Sequence, residues 1–363
     1  MKIDLEKYDE QHASYIEALS KKLNSIYNSI IRQAVKYGLS VNFNPEEGEI
    51  FDFDSFPRIK SRVNELFNQM HDQIKTAVLN GIDEEWAFSG DKFDYFLSEV
   101  LFIGGAEKSE ISAYLDKITE ANQARRNEAL EAFRTRKENG MNLSDRVWKL
   151  TNQFKQEIEL ALDVAISQGK SADAISRDIR SYLNEPNKLF RRVRDKHGNL
   201  KLSKAAAAYH PGMGVYRSSY KNSLRLARTE VNMAYRTADF ENWKQEQMVL
   251  GIQIKLSNNH TLNGKPFVDI CDYLKGTYPK EFKFTGWHPM CRCWAIPVTP
   301  TQEEVIAYTK KIMAGEDVSN YKFKGQVTEM PKAFKVWWAK NASKIAKMRV
   351  KPYFIADNKD LIY

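Results

Sequence analysis

Residues 226–244 read LARTEVNMAYRTADFENWK, and their spacing sets the fold class. Leu224, Ala227, Val231, Ala234 and Ala238 recur every three or four positions, the period of one helix face. Arg225, Arg228, Asn232, Arg236 and Asp239 fall on the other side, where Arg228, Asn232 and Arg236 are expected to pin neighbouring strands by charge-assisted hydrogen bonds. The surrounding stretch, 217–246, contains neither glycine nor proline, and it predicts the strongest helix in the chain.

Working outward from it, most of the sequence carries the same period. Leu5, Tyr8, His12, Tyr15, Ile16, Leu19, Leu23, Ile26, Tyr27, Ile30 and Ile31 predict a helix over 5–37 that stops at Gly38. A loop with Pro, Gly and acids follows at 41–57, then a helix from Arg58 to Leu79. Residues 107–138 are polar and nearly free of breakers, which predicts a long exposed helix. Ser144 is the expected cap of a helix that runs to Gly169, and Ser171 caps the next. Alternation around His197-Gly198-Asn199 predicts a β-hairpin. After Gly251 the period changes to two. Strands are expected at 252–257, 282–284 and 294–298, followed by one helix capped by Thr301 and another after Pro331. The expected class is α+β, predominantly helical. Three segments are marked off: an acidic helical region at 1–140, a helix-plus-small-sheet core at 141–300, and a basic helical extension at 301–363.

The net charge of +8 hides an asymmetry. Residues 1–100 hold 11 Lys+Arg against 18 Asp+Glu, and the remainder holds 44 against 29. Between Asn187 and Arg225 ten basic residues face one acid, and between Pro331 and Tyr353 seven face none. Such stretches suit a phosphate backbone or an acidic protein surface, and also a plain solvated face. Arg191, Arg192 and Arg194 are the candidate nucleic-acid contacts. No apolar run approaches the roughly 20 residues of a membrane span, and the charged N-terminus predicts no secretory signal.

All three cysteines fall within one window: Cys271 in VDICDYL, and Cys291 and Cys293 in HPMCRCW. His260 and His288 lie in the same 34 residues. Thiolate and imidazole are the donors that Zn²⁺ prefers in four-coordinate structural sites, so these five residues are candidates for four places. Cys291 and Cys293, two apart, share a face of an extended chain and can reach one ion. The rival reading makes them small buried hydrophobes. A Cys-His dyad of Cys291 or Cys293 with His288 or His260 is the most enzyme-like pair, but no third orienting group is identifiable, and no established catalytic motif occurs.

In order and spacing, LARTEVNMAYRTADFENWK, IKLSNNH, DICDYLKG and HPMCRCW resemble the C-terminal core of phage head morphogenesis proteins, the Mu F-like and SPP1 minor-head-protein group. The resemblance covers about 142–298, with ISQGKSADAISRDIR as the lead-in helix pair. Arg228, Thr229, Glu230 and Asn232 match the helix motif. His260, Asp269, Cys271, His288, Pro289, Cys291, Arg292 and Cys293 match the rest. The resemblance implies a minor capsid protein without enzymatic activity, associated with the portal inside the procapsid and assembled in a bacterial cytoplasm. Its expected partners are the portal protein and, without sequence preference, phage DNA. The competing expectation is a zinc-supported toxin or nuclease carried on such a module.

Overall fold

A computed structural model describes residues 3–43, 49–166, 168–185, 192–194, 197–198, 200–202, 216–257, 261–262 and 265–362. The helices are α1 (Glu6–Leu39), α2 (Pro57–Ile103), α3 (Lys108–Thr135), α4 (Leu143–Ile166), α5 (Ala172–Asn184), α6 (Ser219–Trp243), α7 (Ile270–Leu274), α8 (Gln302–Met313), α9 (Lys332–Ala346), α10 (Tyr353–Ala356) and α11 (Lys359–Ile362). The strands are β1 (Arg192–Arg194), β2 (Leu200–Leu202), β3 (Gly251–Lys255), β4 (Thr261–Leu262), β5 (Lys265–Pro266), β6 (Gly276–Tyr278) and β7 (Trp294–Val298). The protein is α+β and predominantly helical, as the periodicity predicts. Among the described residues no helix is long and apolar enough to cross a membrane.

The chain forms two compact units, and they are interleaved in sequence. One comprises 1–16, 81–134 and 229–363, and the other 17–80 and 135–228. This differs from the three consecutive segments marked off by composition, because α1, α2 and α6 each contribute residues to both units. A charge boundary on the chain is therefore not a packing boundary.

The second unit contains most of α1, the first half of α2, α4, α5 and the start of α6. Here β1 and β2 pair antiparallel across the expected turn, with Gly198 at φ +80°. Asn142 caps α4, correcting the expectation of Ser144. Its Oδ1 accepts from the Asp145 amide at 2.9 Å, and the Asp145 carboxylate accepts from the Asn142 amide at 3.0 Å. A reciprocal box of this kind satisfies two donors where a lone serine satisfies one. Arg228 belongs to this unit and donates to Ser20 Oγ at 2.8 Å and Glu17 at 3.2 Å.

Two carboxylates on α4, one turn apart, pin the loop before α2. Asp163 accepts from the Phe51 amide at 3.1 Å and Glu159 from the Phe53 amide at 3.2 Å. Burial pushes the Glu159 carboxyl from 4.5 up to about 8, against the pull of Lys155. The folded chain holds this proton more tightly than the unfolded chain does. That share of the stability is whole below about 4.5 and is lost as pH rises through about 8. Glu159→Gln is expected to flatten the pH dependence of thermal unfolding across this window. Parallel wild-type and variant slopes would exclude Glu159 as its source.

In the first unit, β3 is the centre of a three-stranded antiparallel sheet, with β6 on one side and β7 on the other. Ile252 stands opposite Tyr278 and Pro297, and Ile254 opposite Gly276 and Ala295. Both isoleucines are buried, so the period-two pattern read at 252–257 marks the core face. Tyr278, Phe282, Trp287, Phe334 and Phe354 form an aromatic cluster in the same core, with ring centroids 4.6 to 6.1 Å apart. The strand expected at 282–284 is absent. The Asn358 side chain accepts from the Lys283 amide at 2.6 Å and donates to the Lys283 carbonyl at 3.0 Å. One buried amide side chain thus takes the place of a neighbouring strand.

Helix α2 continues well past Leu79, correcting the expected stop. A Cβ built at Gly81 would lie 2.9 Å from Val231 and 3.3 Å from the Tyr15 hydroxyl. This glycine serves close packing of three helices and does not end one.

Candidate metal centre

Helix α6 supplies the scaffold of the site, and its polar side is almost as buried as its apolar side. Glu230, Asn232, Arg236 and Asp239 are each less than a tenth exposed. Polar side chains in such a place must be paired, and each makes a distinct connection.

The Arg236 guanidinium reaches toward the segment that carries two of the cysteines. It donates to the carbonyls of Thr285 at 3.1 Å, Cys291 at 2.7 Å and Cys293 at 2.6 Å. In an extended chain residues i and i+2 turn their carbonyls to one edge, which is why a single guanidinium fork meets both cysteines. Gly286 makes room for it. Its φ is +118°, and an added Cβ would sit 2.6 Å from the Arg236 Nη1 and 3.2 Å from the Cys291 Cβ.

Thr229, two turns earlier on the same face of α6, holds the turn that leads into the cysteines. The Cys291 amide donates to the His288 carbonyl at 3.0 Å, which closes a four-residue turn with Pro289 second and Met290 third. Met290 has φ +62°, the conformation that the third position of a type II turn requires. Its amide donates to the Thr229 hydroxyl at 3.2 Å, which offsets some of the cost of a non-glycine residue there.

On the other side, Asp269 caps the short helix α7. Its Oδ1 accepts from the Cys271 amide at 2.7 Å, and the Asp272 carboxylate accepts from the Asp269 amide at 3.0 Å. The cap fixes where Cys271 points. Its Sγ lies 3.9 Å from the Cys291 Sγ and 3.2 Å from the His288 Nε2.

Cys271, Cys291 and Cys293 therefore converge: their sulfurs all lie within 4.8 Å of one another, and the three residues are 1 to 2 % exposed. A second trio shares Cys271 and adds His288 and Asp269, again with donor atoms within 4.8 Å. The His288 Nε2 is 3.3 Å from the Asp269 carboxylate. The three-thiol cluster can hold a metal ion. Hydrogen bonding to Cys291 and Cys293, then burial, pushes the Cys271 thiol up. Bonds from Cys271 and Cys293, helped by the Arg236 charge, pull Cys291 well down. Three thiols this close cannot all ionise unless a cation joins them.

Of the residues singled out from sequence, Cys271, Cys291, Cys293 and His288 come together. His260 and Arg191 lie outside the described residues, as do the side chains of Arg192 and Arg194. Of the enzyme-like pairs, those with His260 lie outside the described residues, and the thiol that His288 meets is Cys271. That thiol is buried and raised, the opposite of an activated nucleophile. Asp269 and Arg236 were not among the sequence-based candidates for the metal site. The capping pattern Asp269-x-x-Asp272 was a usable signal for the first, and the polar face shared by Arg228, Asn232 and Arg236 for the second.

A further polar cluster occupies the same unit. Lys92 is fully buried on α2 and donates to Asp239 at 2.7 Å and to the Tyr235 hydroxyl at 3.1 Å, with Asp9 at 3.5 Å. Ser89 donates to the other Asp239 oxygen at 2.7 Å. Burial alone would lower the lysine, but Asp239 and Asp9 outweigh it and keep the ammonium charged. Beside it, His12 stacks on Tyr235 at 4.2 Å, with Glu85 and Asn232 Oδ1 (2.7 Å) at its two ring nitrogens. Asn232 thus ties α6 to α1.

No family model, curated protein or solved structure matches the chain.

Proposed function

We propose that the chain is a minor capsid protein of phage head morphogenesis, portal-associated in the procapsid, whose core is fixed by a zinc ion. The observation that carries this reading is the coupling between the quoted motifs. Thr229, from the helix motif, holds the turn of the His-Pro-Met-Cys segment, and Arg236 on the same helix holds the carbonyls of both cysteines. Motifs far apart in sequence thus serve one construction, as expected if they were kept together for one role. Thiolate donors at a closed, buried place favour a structural Zn²⁺ over a catalytic one, which needs an open position. Particles purified from an infected or induced host and analysed by mass spectrometry should contain the chain in few copies per head. Its absence from both procapsids and mature heads would overturn the proposal.

Contact with DNA is part of this reading, and one observation supports it. Lys332, Lys335, Lys340, Lys344 and Lys347 on or just after α9, and Arg349 beyond it, are all exposed, while Phe334 and Ile345 face the core. A helix that buries one side and lines the other with lysines fits phosphates and not base edges. Duplex binding is expected to weaken steeply with salt and to show little sequence preference. Replacing Lys340, Lys344 and Lys347 with Ala should reduce the slope of log affinity against log salt by up to about 3. An unchanged slope would remove α9 from the interface.

A further inference from the structure

We infer that the zinc is held by three sulfurs and one nitrogen, from Cys271, Cys291, Cys293 and the Nε2 of His288, with Asp269 an outer partner and Arg236 the counter-charge. This rests on the zinc reading above and specifies its donor set.

The distances at Cys271 are close to two edges of a tetrahedral site, and His288 meets the thiols through Cys271, in a trio separate from the three-thiol cluster. With Zn–S near 2.3 Å and Zn–N near 2.0–2.1 Å, the edges are about 3.8 Å between sulfurs and about 3.6 Å between sulfur and nitrogen. Cys271 Sγ lies 3.9 Å from Cys291 Sγ and 3.2 Å from His288 Nε2. The other nitrogen of His288, Nδ1, faces the Pro289 carbonyl at 2.9 Å. That acceptor draws the proton to Nδ1 and leaves the Nε2 lone pair on the side of the thiols, the usual arrangement of a metal-bound imidazole. His288 is part-exposed whereas the cysteines are buried, so the imidazole closes the site from the solvent side.

Asp269 is the competing fourth donor, since it belongs to the same trio. Two facts argue against it. Its Oδ1 is committed to the α7 cap. Charge decides the rest. Three thiolates and a dication leave one net negative charge, which the Arg236 guanidinium, bonded to the carbonyls of two of the ligands, offsets. A carboxylate in the fourth place would leave a second, uncompensated negative charge beside a buried core, and a neutral imidazole avoids it. The Asp269 carboxylate, 3.3 Å from Nε2, then stays outside the donor set as the cap of α7, and the Pro289 carbonyl orients the imidazole through Nδ1.

The test loads the full reduced chain with Co²⁺ and reads its visible and near-ultraviolet spectrum, alongside X-ray absorption of the zinc-loaded wild type. One tetrahedral Co²⁺ per chain is expected, with thiolate-to-metal charge-transfer bands. Cys291→Ser should lose the charge-transfer bands, because it releases the metal. His288→Ala should keep the charge-transfer bands but alter the d–d bands. Asp269→Asn, which can still cap α7, should leave both unchanged and weaken binding by at most about 10–100-fold. Wild-type zinc absorption should fit three sulfurs and one light donor, a result that depends on no variant's folding. A spectrum altered by Asp269→Asn or His260→Ala but not by His288→Ala overturns the donor set, and so do two ions per chain. Failure to bind either metal overturns the zinc reading itself and leaves the particle result to judge the head role separately.

Discussion

Lys92→Met is expected to destabilise the unit built around α6 by about 3–5 kcal/mol, the range for removing one partner of a buried ion pair. For a body of this size that is a fall in melting temperature of roughly 10 °C. The cause is what remains behind. Asp239 is 4 % exposed and the Asp9 side chain 9 %, and both would keep their carboxylates with no cation near. The deficit should shrink as pH falls, because protonation neutralises the Asp239 carboxyl, which burial already pushes up. Adding Asp239→Leu to Lys92→Met should recover part of the loss, since well-packed apolar replacements of a buried pair are often tolerated. A fall in melting temperature of less than 2 or 3 °C for the single variant, about 1 kcal/mol, would mean that water reaches the cluster.

Arg236→Ala should have an effect of similar size, about 3 kcal/mol or more, by leaving three buried carbonyls without their donor. Its signature is local. Hydrogen exchange should quicken across 285–294, and zinc affinity should drop, although Arg236 touches no metal. Arg236→Lys is expected to restore less than half of the stability, because an ammonium lacks the planar fork that spans Thr285, Cys291 and Cys293. Full rescue by lysine would show that charge alone, and not geometry, holds the segment.

Sequence reading succeeded where one period governed a stretch. The helix around Leu226–Lys244, strand β3 and the Thr301-capped helix α8 follow from spacing and capping chemistry. It failed where packing overrode local preference. The helix expected to end at Leu79 runs on through Gly81, which is a point of close approach. Strand β6, Gly276–Tyr278, is three residues between a lysine and a proline, too short to show alternation. Phe282 and Phe284 alternate like a strand, but a side-chain amide pairs with the backbone between them.

The candidate site was legible in its thiols, because three cysteines in one window of a cysteine-poor chain is a pattern of residue type. Its second layer was not. Arg236 was expected to brace neighbouring strands, but not the carbonyls of the cysteine segment, and Asp239 and Lys92 carry charges that sequence alone assigns to solvent. Only the fold reveals that these charges face one another or bare carbonyls. His12 is the partial exception: it fell on the apolar stripe of α1, and its burial at 7 % follows from that position.

If a metal ion organises the cysteine segment and α6 braces it, the protein as isolated carries that ion. Native mass spectrometry of the full chain, purified under reducing conditions without chelator, tests it most directly. The expected mass is that of the chain plus one Zn²⁺, with the zinc lost in Cys291→Ser. A wild-type chain that carries no metal, and that unfolds at the same temperature with and without added Zn²⁺, would contradict it and leave the three thiols as buried apolar side chains.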